Sequence, residues 1–205
     1  MRRFLVFWAS VWVSCAINAL FCSAQAADKL GTAVSSQAAL DYARYVLATG
    51  NHQGLPFAIV DKIASTIMVY RADGTLAGSS TALLGQTKGD AIVPGTGERT
   101  QSRQLHLADR TTPAGRFVSE PGHNDRGEAV VWIDYAAALA IHRLRPSPPQ
   151  ERRAQRMASS NPFDKRISAG CVVVPVEFYL DVIQPILGRN KAVVYVMTED
   201  GRQPS

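Results

Sequence analysis

The spacing of apolar residues along the chain changes from a helical repeat to a two-residue repeat. Between Ser35 and Gly50 the apolar face of the pattern is formed by Leu40, Ala43 and Leu47. A serine at the start of this segment supplies an N-cap, and Gly50 is placed to end the helix. The pattern therefore predicts one short amphipathic helix.

After position 56 the apolar residues alternate with polar ones or form short runs, which predicts strands. The predicted strands are 57–61, 66–71, 76–84, one that follows the turn at 111–117, 128–134, 138–143 and 192–197. The segment 85–104 is rich in glycine, threonine and charge, and is predicted to be a long loop. A polar excursion spans 146–163, with one helical turn predicted over 151–157.

A second helix is predicted after Pro175, because the fixed φ of proline suits a first helical turn. Apolar residues follow at helical spacing, and Pro185 is expected to limit the helix. Together these elements predict a mainly β fold with one or two helices packed on it.

The first residues of the chain predict export. Arg2 and Arg3 give a positive start, and the stretch 4–21 is apolar and free of charge. Ala24 and Ala26 then place small residues at the positions that a signal peptidase reads. The same apolar stretch is also long enough for an uncleaved membrane anchor. We expect cleavage near Ala26 and a periplasmic or exported protein, with membrane association only if the signal stays uncleaved.

The predicted organisation has four parts. They are a signal peptide at 1–26, an N-terminal segment with the short helix at 27–56, a catalytic domain at 57–198 and a tail at 199–205. About 180 residues remain after cleavage, which suits one domain with a single sizeable core.

Charge gives little information about partners. The chain has 22 Lys and Arg against 17 Asp and Glu, and cleavage of the signal lowers this excess to about three. So small an excess gives no reason to expect a nucleic-acid partner. Basic residues do cluster between 143 and 166, either as a solvated face or as a surface that favours an anionic cell-wall polymer. The sequence leaves the oligomeric state open.

Cys171 is the one cysteine that remains if Cys15 and Cys22 leave with the signal. In an oxidising compartment a lone thiol is a liability. It is therefore a buried small hydrophobe, half of an intermolecular bridge, or a reactive nucleophile. A thiol-redox role is the poorer reading, because no Cys-x-x-Cys pair is present.

The residues around Cys171 favour a nucleophile. A nucleophilic cysteine acts as a thiolate and needs backbone N–H donors for the oxyanion that forms when it attacks a carbonyl. Gly170 lets the backbone adopt a conformation closed to other residues, and Ser168 either braces the turn or holds a histidine. The turn Ser168-Ala169-Gly170 is thus the candidate support and oxyanion site.

Cysteine acyl transfer also requires a base, and the chain has four histidines. His52 and His123 lie in loops or turns, and His106 precedes an Asp-Arg pair. Only His142 ends an apolar strand-like run, where a rigid scaffold fixes the ring. A structural strand-end histidine is the alternative reading.

These residues resemble a known family. Ile141-His142 and the later Ser168-x-Gly170-Cys171 resemble the L,D-transpeptidase (YkuD-like) catalytic domain, and in particular a branch with an Arg-Ile-Ser-x-Gly-Cys motif. Further segments resemble that family in the same order: Val60-Asp-Lys62, Met68-Val-Tyr70, Asp73-Gly74, Thr112-Pro-Ala-Gly-Arg-Phe117 and Val173-Val-Pro-Val-Glu-Phe-Tyr179.

The resemblance implies a β-sandwich and a peptidoglycan enzyme. Cys171 is then the nucleophile that forms a thioester with a stem tetrapeptide, and His142 is the base and later the acid. The thioester passes to an amine, which forms a crosslink, or to water. No metal or organic cofactor is implied, and the partners are peptidoglycan stem peptides. Arg143 and Arg166 are candidate ligands for stem carboxylates, because arginine binds carboxylates bidentately; surface charge is the alternative reading.

Two other functions stay open at this point. A hydrolase of the same fold would pass the same thioester to water and cleave wall crosslinks. A non-catalytic wall-binding scaffold is suggested by Ala169 and Val173, which stand where the family commonly has polar side chains.

Overall fold

The computed structural model describes residues 33–204, so the predicted signal peptide lies outside the described residues. None of the helices in this range is long and apolar enough to cross a membrane. The strands are β1 (Phe57–Asp61), β2 (Thr66–Tyr70), β3 (Leu76–Thr81), β4 (Leu84–Gly85), β5 (Gly115–His123), β6 (Ala129–Asp134), β7 (Leu139–Arg143), β8 (Arg166–Ser168), β9 (Val172–Val174) and β10 (Ala192–Val196).

Eight of these strands form one mixed sheet in the order β3-β2-β1-β10-β5-β6-β7-β9. The pairs β1–β10 and β7–β9 are parallel, and the other neighbours are antiparallel. The strands β4 and β8 form a separate parallel pair. The prediction of a mainly β fold is therefore confirmed.

The two ends of the large sheet are joined by one pair of backbone hydrogen bonds. Leu83 lies two residues after β3, and its N–H donates to the carbonyl of Val173 in β9 at 2.8 Å. The Val173 N–H returns a bond to the Leu83 carbonyl at 2.9 Å. The chain just beyond one edge strand thus pairs with the other edge strand, and the sheet closes on itself.

The first helix forms where the sequence predicts it. Helix α1 spans Gln37–Thr49, the side chain of Ser36 accepts from the Ala39 N–H, and Gly50 ends the helix with φ of 64°. Its buried residues are Ala39, Tyr42, Ala43 and Val46. The prediction that Leu40 lies on the buried face is wrong: Leu40 is 40% exposed, because it is one position off the stripe set by Tyr42 and Val46.

The strands β1, β2 and β10 are buried on both faces, which explains their nearly continuous apolar sequences. One face packs against α1 through Phe57, Ile59 and Tyr195. The other face supplies Ala58 and Val60 to the main core, to which β6, β7 and β9 also contribute. The helix of the predicted N-terminal segment therefore packs on the sheet of the predicted catalytic domain.

The helical region after Pro175 is longer than predicted. It consists of α4 (Val176–Phe178), a π-helical turn (Tyr179–Ile183) and α5 (Gln184–Ile186). The prediction that Pro185 limits the helix is wrong. The Gln184 N–H donates to the carbonyl of Tyr179, five residues back, so the α-helical ladder is already interrupted where Pro185 lacks a donor.

Two further short helices lie in the segments between strands. The helix α2 (Thr96–Gln101) falls inside the segment predicted as a long loop, and its small polar residues gave no apolar repeat to indicate it. The helix α3 (Arg153–Ala158) confirms the helical turn predicted in the polar excursion. The predicted strand 76–84 is divided into β3 and β4.

A buried lysine connects three distant segments. The Lys62 side chain is 0% exposed. Its Nζ donates to Asp90 Oδ1 at 2.6 Å, to the Gly89 carbonyl at 2.8 Å and to the Thr112 carbonyl at 2.8 Å. Glu199 Oε1 lies 3.4 Å from the same Nζ. The predicted tail thus begins with a residue that is part of the domain, because Glu199 helps to neutralise this buried charge.

We predict that Lys62→Met destabilises the protein by about 3 kcal/mol, because it leaves two backbone carbonyls and two carboxylates without this buried donor. Lys191→Met is the matched control, since the Lys191 side chain is 64% exposed in its ion pair with Glu120. Urea unfolding followed by circular dichroism measures both. Equal stability of the two variants would contradict a structural role for the buried amine.

Candidate functional site

The turn before Cys171 is fixed by hydrogen bonds within itself. Ser168 Oγ donates to the carbonyl of Cys171 at 2.6 Å and accepts from the Gly170 N–H at 3.1 Å. Ser168 therefore braces the turn, which is one of the two roles that the sequence allowed. The Gly170 amide is committed to this bond, and Ala169 is exposed at the tip of the turn.

Gly170 is required at its position for two reasons. Its φ is 137°, a conformation that favours glycine, and a Cβ atom there would lie 2.7 Å from the carbonyl oxygen of Thr111. The backbone of the turn before Cys171 therefore lies directly against the backbone at 111.

Thr112 fastens these two segments to each other. Its Oγ1 donates to the Gly170 carbonyl at 2.7 Å and accepts from the Gly85 N–H at 2.8 Å, and the residue is fully buried. Its own carbonyl accepts from Lys62 Nζ. The role of Thr112 at the site was not predicted from the sequence, although its Thr-Pro-x-Gly motif was the signal that could have indicated one.

His142 and Cys171 lie on neighbouring parallel strands. His142 in β7 is in register with Val173 in β9, and Cys171 immediately precedes β9. The imidazole Nδ1 lies 2.8 Å from the Arg143 carbonyl. Because a carbonyl only accepts, Nδ1 carries the proton and Nε2 keeps the lone pair that a base needs.

The thiol and the imidazole open into one cavity of about 630 Å³. Its other walls include Trp132, Tyr135 and Arg145. The thiol also borders a smaller cavity of about 40 Å³ beside Ala169 and Gly170. The arrangement thus gives a substrate access to both candidate catalytic side chains from the same space.

The hydrogen bond of the thiol goes to the backbone. Cys171 Sγ donates to the Ala138 carbonyl at 3.5 Å, and His142 is not among its partners within residues 33–204. Ala138 has φ of 52°, which is uncommon for a residue with a Cβ atom. This turn between β6 and β7 therefore directs a carbonyl at the candidate nucleophile.

Both titratable groups are neutral at pH 7. Burial raises the pKa of the Cys171 thiol, and the Ala140 amide and the charges of Arg145 and Arg153 only partly oppose this. Burial, followed by the charge of Arg145, lowers the pKa of His142 to about 4, against the raising effect of its bond to the Arg143 carbonyl and the charge of Glu128. The resting site is a thiol beside a neutral base.

The two predicted carboxylate ligands lie elsewhere. Arg166 forms a bidentate pair with Glu199, at 3.0 and 2.7 Å, so its guanidinium is committed to the fold. Arg143 lies 3.4 Å from Glu128 and does not line the 630 Å³ cavity. Both predictions need correction, since Arg145 is the arginine of this segment that borders the cavity.

Val173 and His123, two further residues considered in the sequence, have clear positions in the structure. Val173 is buried and packs with Leu83 and Met157, so its apolar side chain serves the core. His123 lines the same cavity as His142, although its position in a predicted turn gave no indication of this. Within residues 33–204 no group of three or more His, Cys, Asp or Glu side chains is arranged to hold a metal ion.

The chain matches no protein-family model, no curated protein and no solved structure. The resemblance to the L,D-transpeptidase family and the roles of the site residues therefore stay predictions that rest on the residues themselves.

We predict that Gly170→Ala is more damaging than Gly127→Ala. Both glycines have a positive φ, but a Cβ atom at Gly127 meets nothing within 4 Å. Gly127→Ala is expected to cost roughly 1–2 kcal/mol from backbone strain alone. Gly170→Ala adds the overlap with Thr111 and also changes the alkylation rate of Cys171. Urea unfolding and iodoacetamide labelling measure the two effects, and equal costs would contradict the close backbone approach.

We also predict that iodoacetamide labelling of Cys171 in the folded protein has a midpoint above that of an ordinary, exposed cysteine, because burial raises the thiol pKa. The matched control is the same protein in urea, where this burial is lost. A plateau of the labelling rate below pH 7 would instead indicate a preformed thiolate–imidazolium pair.

Proposed function

We propose that this protein is an exported peptidoglycan L,D-transpeptidase with the β fold of that family. The observation that carries the proposal is the placement of Cys171 and His142 at one cavity, on adjacent strands, with the nucleophile's turn fixed by Ser168 and Thr112. Rigid support of this kind is what a catalytic pair needs. The substrates are peptidoglycan stem peptides, and the compartment is the periplasm or the cell exterior.

The proposed reaction begins with proton transfer. His142 Nε2 takes the proton of Cys171 Sγ as the sulfur attacks the peptide carbonyl of the stem before its terminal D-alanine. The C–N bond then breaks, and the imidazolium gives its proton to the departing amine. This leaves a thioester on Cys171 and free D-alanine. An amine of a second stem attacks the thioester, which restores the thiol and forms the crosslink.

The electrostatics of the resting site favour the later proton donation and oppose the first proton transfer, because burial lowers the pKa of His142 and raises that of the Cys171 thiol. A base whose pKa is lowered to about 4 stays unprotonated at neutral pH, so it is available to accept the thiol proton. Once protonated it is a strong acid, which favours delivery of the proton to the departing amine. The carbonyl of Ala138 holds the thiol until a substrate displaces this bond.

A hydrolase would use the same thioester with water as the acceptor. Analysis of the muropeptides released from sacculi distinguishes the two reactions, since new crosslinks appear in one case and shortened or separated stems in the other.

A non-catalytic scaffold is the second candidate. The observation that favours it is the protonated thiol bound to Ala138 rather than to His142. If the protein is a scaffold, the Cys171→Ala variant is expected to bind sacculi as the wild-type protein does and to give the same cellular phenotype.

We predict that a carbapenem acylates the purified protein on Cys171, because a strained β-lactam carbonyl traps the same nucleophile. Intact-mass and peptide mass spectrometry detect the adduct. Cys171→Ala is expected to abolish it, and His142→Asn to slow it by roughly 10²-fold or more, since the general base is lost. A folded wild-type protein without any adduct would remove the main support for the enzyme.

A further inference from the structure

The carboxylate of Glu128 forms ion pairs with both Arg143 and Arg145, and the two arginines have different surroundings. Glu128 Oε2 lies 2.8 Å from Arg145 Nε, and Glu128 Oε1 lies 3.4 Å from Arg143 Nη2. Asn124 Nδ2 donates to the same carboxylate at 3.0 Å, and the Asn124 side chain accepts from the Glu128 N–H. The carboxylate is thus fixed by Asn124 and forms ion pairs with the two guanidinium groups.

Only Arg145 of this pair borders the cavity that contains Cys171 and His142. Its contact with Glu128 uses Nε, and no hydrogen bond within residues 33–204 engages its two terminal nitrogens. The side chain is 25% exposed. Arg145 therefore presents two terminal nitrogens without a hydrogen-bond partner among residues 33–204 beside the candidate catalytic residues, and a guanidinium binds a carboxylate bidentately through such a pair.

We propose that Arg145 binds the free carboxylate of the departing D-amino acid and so selects substrates that end in one. This inference rests on the proposed function. In a peptide, the C-terminal carboxylate is one carbon away from the nitrogen of the last peptide bond. That nitrogen receives its proton from His142, so its carboxylate comes to lie on the histidine side of the cavity.

The distribution of charge favours this placement. The charge of Arg145 lowers the pKa of both His142 and Cys171, which places the cation near both groups. Arg103 also lines the cavity, but its side chain is exposed and forms no ion pair within residues 33–204. The other titratable groups on the cavity wall are His123, Asp125 and Tyr135. Arg145 is the cation there that is paired with an acid.

The test measures binding in the Cys171→Ala background, so that no turnover intervenes. The probes are a stem tetrapeptide that ends in D-alanine and the same peptide that ends in D-alanine amide. We expect calorimetry to show a preference for the free acid of roughly 10- to 100-fold, the range for a charge-assisted pair. Arg145→Gln is expected to remove this preference, because it weakens the binding of the free acid and leaves the binding of the amide unchanged. Arg145→Lys is expected to restore part of the preference.

Arg143→Gln is the matched control, because it removes the other partner of Glu128 without changing the cavity wall. It should retain the preference for the acid. Three results would overturn the assignment. They are a preference for the acid that persists in Arg145→Gln, a preference that is lost in Arg143→Gln as fully as in Arg145→Gln, and equal binding of the two peptides to the parent protein.

Turnover of the free acid by the otherwise unchanged protein is measured separately. Turnover without discrimination rejects Arg145 as the selecting residue but leaves the transpeptidase standing. Discrimination in binding without any turnover rejects the enzyme but supports the carboxylate site, and failure to bind either peptide rejects the proposed site.

Discussion

The hydrogen bond from Thr112 Oγ1 to the Gly170 carbonyl is the contact on which the geometry of the site depends. It joins the segment before β5 to the turn before β9, two parts of the chain that have no strand pairing with each other. The absence of a side chain at Gly170 permits the two segments to come this close, because a Cβ atom there would lie 2.7 Å from the Thr111 carbonyl oxygen. Thr112 also accepts from the Gly85 N–H through its hydroxyl and from Lys62 Nζ through its carbonyl. Because Lys62 directly follows β1, these bonds connect the turn that carries Cys171 to the end of β1.

Most of the fold was predictable because its strands have strong signatures. The strands β1, β2 and β10 are short apolar runs, and Ser36 and Gly50 mark the ends of α1 by ordinary capping chemistry. The helix α2 was missed because its residues have no apolar face. The prediction that Pro185 limits the helix was wrong because proline ends a helix by removing a donor from the α-helical ladder. The π-helical turn has already interrupted that ladder before Pro185.

The candidate site was predictable as to its central residues but not as to its surroundings. His142 and Cys171 were indicated by a strand end and a glycine turn, both of which are local patterns. Arg143, Arg145 and Arg166 look alike in the sequence, and only their ion pairs distinguish them. Whether an arginine faces Glu128, Glu199 or the cavity depends on contacts between residues far apart in the chain, which spacing does not encode.

The bond between the Cys171 thiol and the Ala138 carbonyl has a chemical consequence for the lifetime of the protein. Oxidation to sulfenic acid, like exchange with other disulfides, proceeds through the deprotonated sulfur. A site that keeps its sulfur protonated at rest is therefore slow to be oxidised by peroxide or to exchange with a foreign disulfide. Burial thus protects the one cysteine of residues 33–204 from oxidation.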